Sequence, residues 1–367
     1  MKFLRTIAIL FLALFFVPGV PGASKQARIF VVDSYHREYL WSQDTHAGVC
    51  AALLEFGFLE DEKQVLEYTR NDYVKSAGAV VRKVWMDSKR KNTMGELAEA
   101  TARISEEADR FRPDLILLGD DDAANYIGNL YVDTGTPVVF WGINGLPLKY
   151  GLIDSIEKPG HNVTGIYQAN YLRESVDYLK KLVPGVKSFA ILSDDSSTGR
   201  PKVKELERLA EEGKLAVRHA ATVMTNSLSE WKSEAFRLQK EVDAFFVLNH
   251  NTLKDDLGNS VDQLEIGAWY LRNILKPDCG HEKQFVTEGL LLVVDDSGFK
   301  QGYEAVKVAY RILAQGVNPG DIPVRAPERG PVIVNRQRAD MLGIDLAGKS
   351  FIEEFIDKSL AFEKYPQ

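Results

Sequence analysis

Short apolar runs of strand length alternate with stretches of helical period along most of this chain, and few folds accommodate that order. The first run is Ile29 to Val32. Val49, Leu53 and Phe56 then recur at helical spacing until Gly57 stops the pattern, as a glycine just beyond a helix end does. A strand is expected near Gln64 to Tyr68. Leu97, Thr101, Ile104, Ala108 and Phe111 form one stripe that ends before Pro113. Leu115 to Leu118 and Pro137 to Trp141 follow as buried strands. The order then restarts. Leu172, Val176, Leu179 and Val183 mark a helix stopped by Pro184-Gly185, followed by a strand at Phe189 to Leu192 and a charged helix near Lys202 to Glu212. A strand at Leu215 to Arg218, a helix around Ser229 to Lys240 and the apolar strand Ala244 to Leu248 continue it.

Repeated strand–helix–strand units imply parallel sheets covered on both faces and joined by right-handed crossovers. Two such sets within 367 residues give an α/β fold of two doubly wound, Rossmann-like lobes, in line with about 100–200 residues per domain. A composition of 45% hydrophobic and 26% charged residues supplies real cores and argues against long disorder. The net charge of −7 disfavours nucleic acid or an anionic membrane surface as the main partner, since each selects a basic face.

The first 22 residues read as an address. Lys2 and Arg5 precede an unbroken apolar run from Ile7 to Val17, ended by Pro18. Eleven residues make about 17 Å of helix against a hydrocarbon core of ~30 Å, too short to span it. Small residues then mark a cleavage site near Gly22 or Ala23, so a secretory leader at 1–22 and a free periplasmic protein are expected. No cysteine lies beside that site, so a lipoprotein is not. Cys50 and Cys279 stand far apart in sequence, outside any CxxC, and unpaired thiols are expected.

In doubly wound sheets, ligands sit beyond the carboxyl ends of the strands, where helix starts offer free N–H donors. The exit after the first strand runs Asp33-Ser34-Tyr35-His36-Arg37-Glu38-Tyr39-Leu40-Trp41, rich in aromatic and polar groups for a connecting loop. Ser34, Tyr35 and His36 are candidate ligand contacts; Trp41 fits a ligand stack or packing under the first helix equally well. After Leu118 comes Gly119-Asp120-Asp121-Asp122, in which Asp122 is expected to cap a helix and Asp120 or Asp121 to accept from a ligand amino group. Trp141 and Asn144 close the fifth exit. In the second half the equivalent exits supply Asp194, Ser196, Asn249 and His250. Short hydrogen-bonding side chains beside helix starts suit a carboxylate or polar headgroup, although any single one also serves as a cap or turn. The signal lies in their joint placement.

Catalysis finds no foothold. GxSxG, GxxxxGK[ST], HExxH and a GxGxxG after the first strand are all absent, and the six histidines show no paired metal spacing. Neither an enzyme, a cofactor nor a metal site is expected.

At these loops the chain resembles the ABC transporter substrate-binding proteins, whose members include receptors for aromatic amino acids. The resemblance rests on Arg112-Pro113-Asp114-Leu115-Ile116, Thr136 to Phe140, Pro159 to Gly165, Val183 to Lys187 and Val242-Asp243-Ala244. It continues through Leu313 to Gly316, Gly320 to Val324, Val334-Asn335 and Ala339 to Ile344. It implies the type I periplasmic-binding architecture, with two lobes hinged by three crossings around a central cleft. The crossings are expected near Asn162 to Ile166, Thr287 to Val294 and Ile322 to Val334. The lobes become 23–145 with about 290–320, and 146–289 with about 321–367, the helix at Gly298 to Gln315 returning to the first. The implied function is capture of a small ligand, an amino acid or related small carboxylate, for delivery to a membrane ABC permease by a monomer. Where many members carry Gly-Thr-Pro-Ala this chain has Gly119-Asp120-Asp121-Asp122-Ala123, and Asn144 stands where they have Asp. The Ser34 to Trp41 opening and the acidic loop are more similar to extracellular sensor versions of the domain, which implies the alternative of a soluble sensory subunit for a membrane histidine kinase or chemoreceptor.

Overall fold

The computed structural model describes residues 26–144 and 146–366, so the expected leader and Gly145 lie outside the described residues. Six strands form the first sheet: β1 (Ala27–Asp33), β2 (Tyr73–Lys75), β3 (Ala79–Trp85), β4 (Leu115–Gly119), β5 (Val138–Asn144) and β6 (Val163–Gln168), in the order β2-β3-β1-β4-β5-β6. Seven form the second: β7 (Ser188–Ser193), β8 (Arg218–Met224), β9 (Ala244–Val247), β10 (Asp278–Gly280), β11 (Leu292–Val294), β12 (Val332–Asn335) and β13 (Glu354–Ile356), in the order β13-β12-β11-β10-β9-β7-β8. All neighbouring pairs are parallel except β2–β3 and β11–β12. Both sheets have the doubly wound order that the alternation of runs implied.

Successive residues of β1 and β4 explain why their sequences are apolar throughout. Ile29, Val31, Leu115 and Leu117 face one cluster, beneath the helices Leu40–Glu55 and Gly298–Leu313. Phe30, Val32, Ile116 and Leu118 face the other, beneath helix Met94–Phe111. A strand covered on both faces has no solvated side to mark with polar residues. Helix Met94–Phe111 opens on a capping box between Thr93 and Glu96, two mutually satisfied backbone donors.

Helices Leu40–Glu55 and Gly298–Leu313 touch along their backbones. A side chain at Gly302 would overlap the Thr45 carbonyl oxygen, and one at Gly48 the Phe299 carbonyl. Two glycines thus dock a helix from late in the chain onto the first lobe. In the second lobe Arg338, fully buried, donates to Asp278 Oδ2 from Nε (3.0 Å) and Nη2 (2.6 Å), and to the carbonyls of Leu271, Ile274 and Lys276. That hub ties the short helix Arg336–Met341 to β10.

Several local expectations need correction. Residues 64–68 form part of helix Glu62–Asn71 rather than a strand: Asp61 caps it by accepting from Gln64 N, and only Tyr68 is buried. The expected strand at 215–218 begins at Arg218 instead. Residues 162–166 are not a crossing, because β6 stays paired with β5 to Gln168 and Thr164 Oγ1 donates to Ile322 O at 2.7 Å. Residues 287–294 belong to the second sheet, since β11 pairs with β10. The chain passes between the sheets at 169–171, 295–297 and 326–331, the last after Arg325 has bridged to Ile166 beside β6. Residues 146–168 and Ile322 and Val324 therefore pack with the first lobe.

Candidate functional site

The order of strands reverses at β1, which lies between β3 and β4, and at β7, which lies between β8 and β9. Crevices open at such points beyond the strand ends. Here the two crevices face each other, and side chains from both meet.

On the first lobe, Asp33 ends β1 fully buried, 3.1 Å from Lys83 Nζ, while its Oδ1 accepts from Tyr35 N and Ser42 Oγ. Ser34 Oγ donates to Gly119 O at 2.6 Å and accepts from Ala123 N at 2.8 Å, lacing the β1 and β4 exits together. Asp120 takes a left-handed backbone, φ 70°. Facing Gly142 makes room for its carboxylate, since a Cβ there would lie 2.5 Å from Oδ1. Oδ1 accepts from Trp41 Nε1 at 2.9 Å and Oδ2 has no partner. Burial, then the carboxylates of Asp33 and Asp121, push its carboxyl well above the usual range. Asp121, by contrast, is saturated by Lys149 Nζ (2.8 Å), Tyr150 OH (2.6 Å) and Asn144 Nδ2 (2.7 Å). Those bonds commit Asp121 and Asn144 to each other rather than to a solute. Asp122 does not cap a helix; it accepts from Ser88 Oγ at 2.6 Å and, across the cleft, from Ser197 Oγ at 3.3 Å.

On the second lobe, Asp194 accepts from Ser196 Oγ at 2.5 Å and Thr252 N at 3.1 Å, and its own N–H donates to Asn249 O. Behind it Lys202, buried in helix Gly199–Glu211, lies 3.0 Å from Glu282 Oε1, and His281 Nε2 is 2.9 Å from the same oxygen. Burial opposes ionisation of Glu282, but Lys202 and His281 outweigh it and hold the carboxyl well below its ordinary range. Burial, with Lys202, pushes His281 down to about 4, which leaves it neutral at pH 7.

Among the described residues, four side-chain bonds cross the seam between the lobes. Tyr39 OH donates to Asn251 Oδ1 (3.1 Å) and accepts from Gln284 Nε2 (3.2 Å). Lys89 Nζ donates to Thr198 Oγ1 (2.9 Å), and Ser197 to Asp122 completes the set. Tyr35, Tyr39 and Trp41 form an aromatic cluster of their own, separate from the cores of both lobes. A cavity of about 310 Å³ flanks this contact on the side of Ser88, Lys89, Asp122, Ser196, Asn226 and Thr252. Another of about 580 Å³ lies beside His36, Arg90, Asn251 and Gln263. An equally large cavity on the outer side of helix Leu40–Glu55, around His46, Cys50 and Thr69, is lined by the first lobe alone.

The structure thus brings Ser34, Tyr35, His36, Trp41, Asp120, Asp194, Ser196 and Asn249 to the facing crevices. Asp121 and Asn144 are bound to each other, and the remaining two candidates sit elsewhere. Trp141 is fully buried in the first-lobe core, its ring filling the space a side chain at Gly119 would need. His250 turns into the second lobe, its Nε2 2.9 Å from Glu288 and its ring against Phe285 and Trp231. Although burial works against its charge, Glu288 raises the His250 pKa. Thr198 and Asn251 lie inside two exits that the sequence marks, without standing out there from their neighbours, while Lys89, Lys202, Glu282 and Gln284 were missed. Lys89 and Glu282 follow β3 and β10, whose apolar runs are interrupted by Arg82-Lys83 and by Asp278.

Among the described residues no group of three or more His, Cys, Asp and Glu is arranged for a metal ion, and no helix is long and apolar enough to cross a membrane.

Comparison with known proteins agrees with this geometry. The family model for ABC transporter substrate binding protein matches residues 82–352. A curated "Tyrosine-binding protein" of Clostridioides difficile is 24% identical over 200 residues, 54% of each chain, so the match spans about half of that relative's length. The ABC domain of a Streptococcus pneumonia protein solved in complex with L-Trp superposes with a TM-score of 0.68 at 20% identity, over 90% of this chain and 100% of that one. The ligand-free, open structure of a Clostridium difficile substrate-binding protein with adhesive properties gives 0.65 at 19% identity, over 90% and 99%. Matched by that family model over most of its length, the chain belongs to the ABC transporter substrate-binding proteins, a family of binding proteins rather than enzymes.

Proposed function

We propose that this protein captures a small solute with amino-acid-like chemistry between its two lobes and delivers it to a membrane ABC permease from the periplasmic side. The observation that carries the reading is the seam itself. Among the described residues, four side-chain bonds join loops from the carboxyl ends of two separate sheets, and three short crossings connect those sheets. A solute that touches both faces favours the closed arrangement by its higher affinity for it, and the closed form is what a permease can distinguish from the open one. The tyrosine and L-Trp named for two relatives support an amino acid as the ligand class. The apolar run at 7–17 supports export.

A second reading keeps the same capture step and changes the listener. The Ser34 to Trp41 opening, which builds much of the seam, is the stretch most similar to sensor versions of the domain, so a membrane kinase would read closure instead. The test for capture is a thermal-shift screen over amino acids and small carboxylates, paired with solution scattering. A true ligand at 100 times its dissociation constant adds about 2.7 kcal/mol of stability, and it contracts the molecule. Absence of both effects across the screen refutes capture. Solute uptake measured in cells with and without this protein then separates transport from sensing.

A further inference from the structure

Between the two lobes an ammonium group already sits in an aromatic corner. Tyr35 and Tyr39 pack edge to face, with ring centroids 5.1 Å apart and an interplanar angle of 87°. Lys89 Nζ lies over both rings, 4.6 Å from the Tyr35 centroid and 5.7 Å from that of Tyr39. Both distances fall within the ~6 Å reach of a cation–π contact. The side chain of Lys89 is 3% exposed, yet among the described residues no carboxylate lies within 4.0 Å of its nitrogen, and its hydrogen bond goes to Thr198 Oγ1. Asp122, Asp194 and Glu282 surround it at longer range.

We propose that the Tyr35–Tyr39 corner is an ammonium seat, occupied here by Lys89, and that the solute of this cleft carries a cationic amine that takes Lys89's place. The proposal rests on the capture reading and sharpens it to organic ammonium compounds. Two features select a cation over an anion. The faces of both rings carry negative quadrupoles. Apart from Lys202, the charged groups that act most strongly on the site are the carboxylates of Asp194, Asp122 and Glu282, from both lobes. A buried ammonium with one hydrogen bond out of three donors is poorly compensated, so a better-shaped cation displaces it readily. Burial lowers the Lys89 pKa, in keeping with that poor compensation. Lys89 sits on the short connection between β3 and helix Met94–Phe111, which lets it swing into the adjoining cavity of about 310 Å³.

The test uses the whole chain and isothermal titration with choline and ethanolamine as cationic probes, 3,3-dimethylbutan-1-ol as the neutral isostere of choline, and succinate as an anion. The proposal expects a cationic probe to bind at least tenfold tighter than the neutral isostere. Lys89→Met removes the internal competitor and, although it also gives up one seam bond, tightens it at least tenfold further; Tyr35→Leu weakens it tenfold or more. Equal binding of choline and its isostere, no binding of either cation, or weaker cation binding in Lys89→Met overturns the seat. Succinate binding that Lys89→Met abolishes also overturns it, because Lys89 is then an anion ligand. If another solute closes the lobes in scattering while the cations fail, the seat is wrong and capture stands; if no solute closes them, capture itself fails.

Discussion

Removing one oxygen atom from the seam should open the molecule without unfolding it. Tyr39 OH makes two of the bonds between the lobes, to Asn251 and Gln284, and its ring belongs to the small aromatic cluster rather than to either core. Tyr39→Phe keeps the ring and deletes both bonds. At a net 0.5–1.5 kcal/mol each, the closed state loses about 1–3 kcal/mol, and its equilibrium constant falls roughly 5- to 150-fold. The upper half of that range is expected. Asn251 Nδ2 is already held by Gln263 and Gln284 Nε2 by Glu282, so the atoms left facing Tyr39 cannot turn away without breaking those bonds. Scattering should show a larger radius of gyration in the variant, and solute affinity should drop by the same factor as closure. The urea midpoint of the solute-free protein should stay within error, because position 39 faces water in the open state of both proteins. A variant whose unfolding midpoint falls as much as its affinity, or one that changes neither affinity nor size, would refute the assignment of Tyr39 to the seam.

Three further outcomes follow from the packing and the charges. Arg338→Met leaves Asp278 buried without its guanidinium and should cost about 3–5 kcal/mol in urea unfolding; a loss under about 1 kcal/mol would mean the hub is not what holds helix Arg336–Met341. Gly302→Ala forces apart two helices in backbone contact and should cost about 1–3 kcal/mol, with an unchanged midpoint as the contrary result. Asp296, whose Oδ2 accepts from Asn170 N at 2.8 Å between two crossings, is raised by burial to about 7. Its folded pKa exceeds the unfolded one, so its stabilising protonated form is complete below about pH 4 and is lost as pH rises towards about 7. Stability should therefore fall from pH 5 to pH 8, less steeply in Asp296→Asn; equal slopes in the two proteins would contradict this.

How much of this was legible in the sequence depended on whether an element declared itself by its own residues. Helices Met94–Phe111 and Leu172–Leu182 carry clear stripes and stop signals, and β1, β4, β5, β7 and β9 are apolar runs that had to be buried on two faces. Residues 64–68 misled because a half-exposed helix with one buried Tyr has too few apolar positions to fix a period. β10, Asp278-Cys279-Gly280, is invisible for another reason: its aspartate is buried against partners far along the chain, Arg338 on Oδ2 and the Leu291 N–H on Oδ1. The site divided along the same line. Exits after recognised strands supplied Tyr35, Asp120, Asp194 and Ser196, whereas Lys89 and Glu282 followed strands that carried no such signal. Trp141 and His250 show the converse. A strand-end position fixes where the backbone goes, while the partner that claims the side chain, Gly119's open space or Glu288, is set by tertiary contact.

The claim that this seam opens and closes on a solute can be measured as one distance. Met94 and Leu257 are each 87% exposed, on the first and second lobe, while Cys50 and Cys279 are buried. Spin labels on Met94→Cys and Leu257→Cys should therefore report the gap by pulsed dipolar spectroscopy. The protein as isolated, the protein stripped of solute by unfolding and refolding, and the stripped protein given back the released small molecules should differ in order. The account predicts a short distance, a longer and broader one, and a return to the short one. A single unchanged distribution in all three samples would contradict it.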